Sequence, residues 1–108
     1  MRIRQRGDFA RVKQQGKRLG HGCLILNWLE LTPGSLPRLA VITSRKIGKA
    51  VVRNRCRRLM RECFRLHQHA LRVPAEVVLI ARPSMAGKNL AAVEADYLGV
   101  LREANLIG

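Results

Sequence analysis

The stretch AVVRNRCRRLMRECFRLHQHAL, Ala50 to Leu71, decides how the rest of the chain is read. At about 100° per residue, Val52, Cys56, Leu59, Cys63, Leu66 and Ala70 share one arc, which predicts the buried stripe of a long helix. Arg53, Arg57, Arg61 and Arg65 form an i, i+4 ridge. Asn54 and Arg58 extend it on the side away from the stripe, and Arg55 lies at the border. Pro74 stands just past the end, where a proline commonly follows a helix. The helix is half core and half cation.

An ordinary solvated face mixes charge signs and gains i, i+4 pairs. Here only Glu62 is available among the arginines. Like charges at i, i+4 cost a few tenths of a kcal/mol per pair. Lys49, Arg53 and Arg55 also crowd the helix start, where the macrodipole disfavours cations. These costs make sense if phosphates sit on the face during function. Arginine outnumbers lysine 16 to 5 in the chain, which suits a bidentate grip on phosphate.

Outside the helix, composition narrows the classes. The 108 residues carry 21 Lys+Arg against 7 Asp+Glu, a net charge of +14. Residues 1–65 hold 17 basic and 3 acidic residues, and residues 66–108 hold 4 of each, so all the net charge lies in the first three-fifths. With 47% hydrophobic residues the chain is too apolar for a disordered basic tail and is expected to fold as one domain, 1–108. The longest apolar run, Cys23–Leu31, contains Asn27 and Glu30 and is too short for a membrane span. Arg2, Arg4, Arg6, Asp8, Arg11 and Lys13 break any signal-peptide pattern. Three cysteines are an odd count, too sparse for a disulfide framework, so a cytoplasmic protein with reduced thiols is expected. A soluble chain this basic implies a polyanionic partner, nucleic acid before an anionic membrane surface.

The remaining elements follow from pattern. Asp8 can cap a short opening helix with Phe9 and Val12 inward and Gly16 as its stop. Cys23–Leu31 reads as a strand, and Thr32–Pro37 as a turn. Leu39–Ser44 reads as a second strand, a natural antiparallel partner of the first. Glu76–Arg82 is apolar on both faces, as a central strand should be. Asn89 can cap a last helix with Leu90, Val93, Tyr97, Leu98, Leu101 and Ala104 in its stripe. The expected architecture is an α+β sandwich, one sheet with helices packed on it. Tyr97 and Phe64 are expected to pack in the core, and Phe9 is the best aromatic for stacking on a base.

Catalysis by the polypeptide is not expected. The acids are scattered with no pair spaced for two metals, and the histidines lack a carboxylate or nucleophile partner in sequence. Cys56, Cys63 and His67 share an arc, but it is the buried one. They lack the close ligand pair of a zinc site, so core packing is the reading and no metal site is expected.

The segment Arg45-Lys46-Ile47-Gly48-Lys49 followed by Arg53-Asn54-Arg55, Arg57-Arg58 and Arg61-Glu62 resembles the signature of the bacterial ribonuclease P protein family. Asp8-Phe9, Val12, Gly16 and Arg18 resemble the family's opening helix, so the likeness covers nearly the whole chain. It implies a ribonuclease P protein-like fold: one mixed sheet in which the basic helix links two parallel strands by a left-handed βαβ crossover. The residues alone would suggest the usual right-handed hand. The resemblance implies that the catalytic subunit is a large RNA, the ribonuclease P RNA. It would cut the 5′ leader from precursor tRNA and leave a 5′-phosphate, with Mg²⁺ held mainly by RNA phosphates. A monomer in a 1:1 complex with that RNA is expected. RNA-binding residues would be Arg45, Lys46, Lys49, Arg53, Asn54, Arg55, Arg57, Arg58, Arg61 and Arg65. Phe9, Lys13, Leu24 and Leu26 would line a cleft for the leader. Lys13 stands where the family often has a second aromatic, which makes that cleft more cationic. A structural ribosomal-type RNA-binding protein is the alternative, and a protein-only metal-dependent nuclease the second.

Overall fold

The structure is a computed structural model that describes residues 16–108. The expected opening helix, with Asp8, Phe9 and Lys13, lies outside the described residues. Four strands form one sheet: β1 (Lys17–His21), β2 (Leu24–Glu30), β3 (Arg38–Ile42) and β4 (Ala75–Ala81). Helix α1 (Ala50–His67) joins β3 to β4, and helix α2 (Leu90–Glu103) follows β4. Strand order is β1-β2-β4-β3. β1 and β4 both pair antiparallel with β2, and β3 pairs parallel with β4. The α+β class, the single mixed sheet and the parallel β3–α1–β4 unit are therefore all present.

Two sequence expectations change. β2 and β3 are not an antiparallel pair, because β4 inserts between them. The reason is burial: β4 is buried at six of its seven positions, and a strand apolar on both faces is most stable with neighbours on both edges. The second change is an additional strand, β1, whose sequence KRLGH reads as polar. Lys17 and Arg18 are exposed on it, and charged residues on an edge strand discourage pairing with another chain.

One face of the sheet meets both helices. Leu24, Leu26 and Trp28 of β2, Val77 and Leu79 of β4 and Leu39 of β3 join Cys56, Met60, Cys63 and Phe64 of α1 and Val93, Tyr97, Val100 and Leu101 of α2 in one core. Asn89 caps α2 as expected, its Oδ1 accepting from the Ala92 N–H at 2.9 Å. The basic helix is turned from the expected arc. Met60 and Phe64 are buried, whereas Leu66 is 45% exposed and Ala70 lies exposed in a 3-10 turn past the helix end. The true stripe is rotated by roughly 60°. Both arcs of the helix are apolar, and the larger Met and Phe side chains on one of them gain more from burial.

The β1–β2 hairpin is fastened to α2 by polar contacts. Its two-residue loop puts Gly22 at φ +58, a conformation glycine adopts at no steric cost. A Cβ there would also collide with the Asp96 carboxylate. Asp96 Oδ2 accepts from the Cys23 N–H at 3.0 Å. Burial pushes the Asp96 carboxyl up. The hydrogen bonds from Cys23 and the charges of Lys88 and His21 outweigh this and hold it below the ordinary range. A depressed carboxylate pKa contributes stability that is present above the unfolded value and lost as pH falls through the folded one. Asp96→Asn is therefore expected to cost about 1 kcal/mol at neutral pH. The gap to the unmodified protein should close below about pH 4, as read by urea melts across pH. A gap that persists at low pH would refute the assignment.

Candidate nucleic-acid interface

The basic segment begins where β3 ends. A 3-10 turn, Arg45–Ile47, is pinned by buried Ile47 and closed by Gly48 N–H donating to Arg45 O at 3.2 Å. Gly48 then turns at φ 144, and α1 starts two residues later, after Lys49. This geometry leaves Arg45, Lys46 and Lys49 exposed around the start of α1. That start has no side-chain cap and no acid in its first turn, so neither its first N–H groups nor these cations are offset there by a carboxylate.

Along α1 the candidate residues separate by depth. Asn54, Arg58 and Arg65 are exposed, and Arg53, Arg55, Arg57 and Arg61 are half-buried. The rotation of the helix accounts for this, because it brings Arg53 to the flank of the core. The Arg53 Nε is buried with no hydrogen-bond partner among the described residues. Arg57 leans on the sheet edge, where its Nη1 donates to Thr43 Oγ1 at 2.6 Å. Glu62 accepts from Arg65 Nε at 3.0 Å and from an Nη of the same side chain. Thr43 was not among the sequence candidates, since nothing in the pattern of a strand end marks a threonine as an arginine's partner.

The expected leader-cleft residues Leu24 and Leu26 need correction. Both are fully buried in the helix-side core, so neither lines an open cleft. Strand side chains alternate, and a shift of one residue changes the face. The opposite face carries Ile25 and Asn27 of β2, Val78 and Ile80 of β4 and Ala40 and Ile42 of β3. In register, Ile42, Ile80, Ile25 and Gly20 form one row, and Ala40, Val78, Asn27 and Arg18 the next. None of these side chains belongs to the helix-packed core of the described residues. Ile25, Ile42 and Ile80 are half-buried, and Arg18 is exposed at the edge. On the same face Arg38 Nη1 lies 3.4 Å from the buried Glu76 carboxylate, and Arg82 Nη1 donates to Gly22 O at 3.1 Å. The face carries half-buried isoleucines beside buried Val78, Asn27 and Glu76, with cations at its margins. Phe9 and Lys13 lie outside the described residues.

The acids are largely taken up by basic or N–H partners. Glu62 faces Arg65, Glu76 faces Arg38, and Asp96 holds the Cys23 N–H. His21 Nδ1 lies 2.6 Å from Glu103 Oε1, and His67 Nε2 lies 2.7 Å from Glu94 Oε2. Two histidines thus do have carboxylate partners, which the sequence did not reveal because the partners are 82 and 27 residues away. Among the described residues, no group of three or more His, Cys, Asp or Glu side chains could hold a metal ion. Cys56 and Cys63 are fully buried in the core, and burial pushes the Cys63 thiol up to about 12. Such a thiol stays protonated and is a poor nucleophile or ligand. No helix among the described residues is long and apolar enough to cross a membrane.

A family model described as Ribonuclease P matches residues 1–105. The ribonuclease P protein component of Desulfovibrio desulfuricans is 39% identical over 105 residues, which cover 94% of this chain and 81% of that protein. The RNase P protein of Thermotoga maritima superposes with a TM-score of 0.82 at 27% identity, covering 95% of this chain and 96% of the other. The fold is also that of the Staphylococcus aureus RNase P protein, with a TM-score of 0.88 at 24% identity and coverage of 99% and 97%. With the Arg-Asn-Arg helix, the glycine turn before it and the mixed sheet beneath it in place, the chain belongs to the ribonuclease P protein family.

Proposed function

We propose that this chain is the protein subunit of a bacterial ribonuclease P, a ribonucleoprotein endoribonuclease that trims precursor tRNA at its 5′ end. The observation that carries the reading is the gathering of the cations. The turn Arg45–Lys49 and the outward side of α1 put one sign of charge on one side of the domain, and the only acid among them, Glu62, is engaged by Arg65. That side docks on the ribonuclease P RNA and relieves repulsion between its phosphates.

The sheet face opposite the helices takes the single-stranded leader of the precursor. Ile25, Ile42 and Ile80 offer a floor against which bases lie, and Arg18, Arg38 and Arg82 border it. Phe9 and Lys13, outside the described residues, are carried to the leader by the family resemblance. The leader is absent from mature tRNA, so contacts to it favour precursor over product. The hydrolysis itself belongs to the RNA subunit, which holds Mg²⁺ through its phosphates and releases a 5′-phosphate on the tRNA. The described acids are dispersed and, Glu30 apart, partnered, so this polypeptide's own donor set does not suit a Mg²⁺ centre. The complex is one protein per RNA and cytoplasmic.

The test is reconstitution. Purified protein added to a bacterial ribonuclease P RNA should restore leader cleavage at a Mg²⁺ concentration too low for the RNA alone, and protein alone should cleave nothing. Cleavage by protein alone would favour a protein-only nuclease. Tight RNA binding without any rescue would favour a structural ribosomal-type role.

A further inference from the structure

The arginines of α1 differ in how they are held. Arg65 is engaged by the Glu62 carboxylate, and that hydrogen bonding holds the Glu62 carboxyl below its ordinary value. The pair is a compensated charge. Arg57 is held differently. Its Nη1 donates to Thr43 Oγ1 at 2.6 Å, and its Nη2 donates to Asn54 Oδ1. Both acceptors are neutral. A guanidinium has five N–H donors, so three remain after these two contacts. The side chain is locked in direction while its charge stays uncompensated. A carboxylate would make a stronger structural pin, but it would cancel the charge that an anion needs. Arg58, by contrast, is exposed and makes no side-chain hydrogen bond among the described residues.

We infer that Thr43 and Asn54 are positioning residues that aim Arg57 at one RNA phosphate, so that Arg57 is the directional contact of the docking face and Arg58 a source of field. This rests on the docking role proposed above for α1. A guanidinium ordered before binding loses less freedom when it binds, and its remaining donors can grip two oxygens of one phosphate. Asn54, the middle of the Arg-Asn-Arg triplet, then acts through Arg57, with its side-chain carbonyl committed to the protein. Thr43, at the end of β3, ties the aim of the helix to the edge of the sheet.

The test is fluorescence anisotropy of the full chain titrated into a labelled bacterial ribonuclease P RNA transcript, with thermal melts of each variant. Thr43→Val is expected to weaken binding about fivefold, the scale of one hydrogen bond. Thr43→Ser should restore most of it. Thr43→Val should add nothing once Arg57→Ala is present, whereas two residues acting separately would multiply their losses. Asn54→Asp keeps a pin but cancels the charge. It is expected to weaken binding about tenfold with no fall in melting temperature, an outcome that a merely structural Asn54 would not produce. A Thr43→Val or Asn54→Asp protein that binds like the unmodified one, beside a defective Arg57→Ala, overturns the positioning role alone. If Arg57→Ala binds normally, this inference falls while the docking role of α1 stands; if the unmodified protein does not bind the RNA, the docking role falls and this inference with it.

Discussion

Replacing Arg53 and Arg57 together by alanine is expected to loosen binding to ribonuclease P RNA on the order of 100-fold, because a hydrogen bond to a charged group is worth about 1.5 kcal/mol or more. The slope of log K against log salt should become shallower by about 1.5 to 2, since each arginine neutralises one phosphate and releases its counterion. Stability should move the other way. Both residues sit on an i, i+4 ridge of like charge whose repulsion costs a few tenths of a kcal/mol, and alanine is the better helix former. Part of this gain is offset at Arg57 by the lost hydrogen bonds to Thr43 and Asn54 and at Arg53 by the lost packing of the side-chain stem, which lies half-buried at the flank of the core with its Nε enclosed. A protein that melts no lower yet binds RNA far more weakly with a shallower salt slope is the expected combination. An unchanged slope would mean that the ridge is only a solvated face.

The second large effect concerns stability. Tyr97 is fully buried between the helices and the sheet, its ring centroid 6.5 Å from that of His67. Its hydroxyl is enclosed without a hydrogen-bond partner among the described residues, and burial pushes the pKa of that hydroxyl above its ordinary value. Tyr97→Ala is expected to cost about 3 to 5 kcal/mol, the lost transfer of the ring plus the cavity left behind. Domains of this size hold roughly 5 to 15 kcal/mol in all, so the variant should be barely folded at 37 °C. Tyr97→Phe removes only the unpartnered hydroxyl and keeps the ring. It should be neutral or stabilising by up to about 1 kcal/mol. Urea melts of the two variants measure both. A Tyr97→Phe protein destabilised by more than about 1 kcal/mol would show that the hydroxyl has a partner after all.

Much of this was legible along the chain wherever a signal is local. The helix from Ala50, the Asn89 cap, the buried character of β4 and the core roles of Phe64 and Tyr97 all follow from spacing, capping chemistry and residue size. Pairings between distant residues were not legible. His67 and Glu94 meet only because α1 and α2 pack together, and Thr43 meets Arg57 only because α1 folds back along the edge of β3. Leu24 and Leu26, placed in the leader cleft by the resemblance, show the limit, because an apolar strand carries no mark of which alternate set faces the helices. The register with β4 settles that question, since Leu26 lies opposite Leu79 and Asn27 opposite Val78.

By itself the sequence determined that the chain is a basic α+β domain, that its charge lies in the first 65 residues and that one helix carries a cationic face. Those are properties of composition and of the 3.6-residue period, and they need no partner elements to be read. Tertiary structure decided the strand order, the roughly 60° rotation of α1, the face of the sheet left outside the helix-packed core and the locking of Arg57 by two neutral acceptors. Each of these depends on which side chains fill a shared interior, and that competition is settled only when the whole core packs at once.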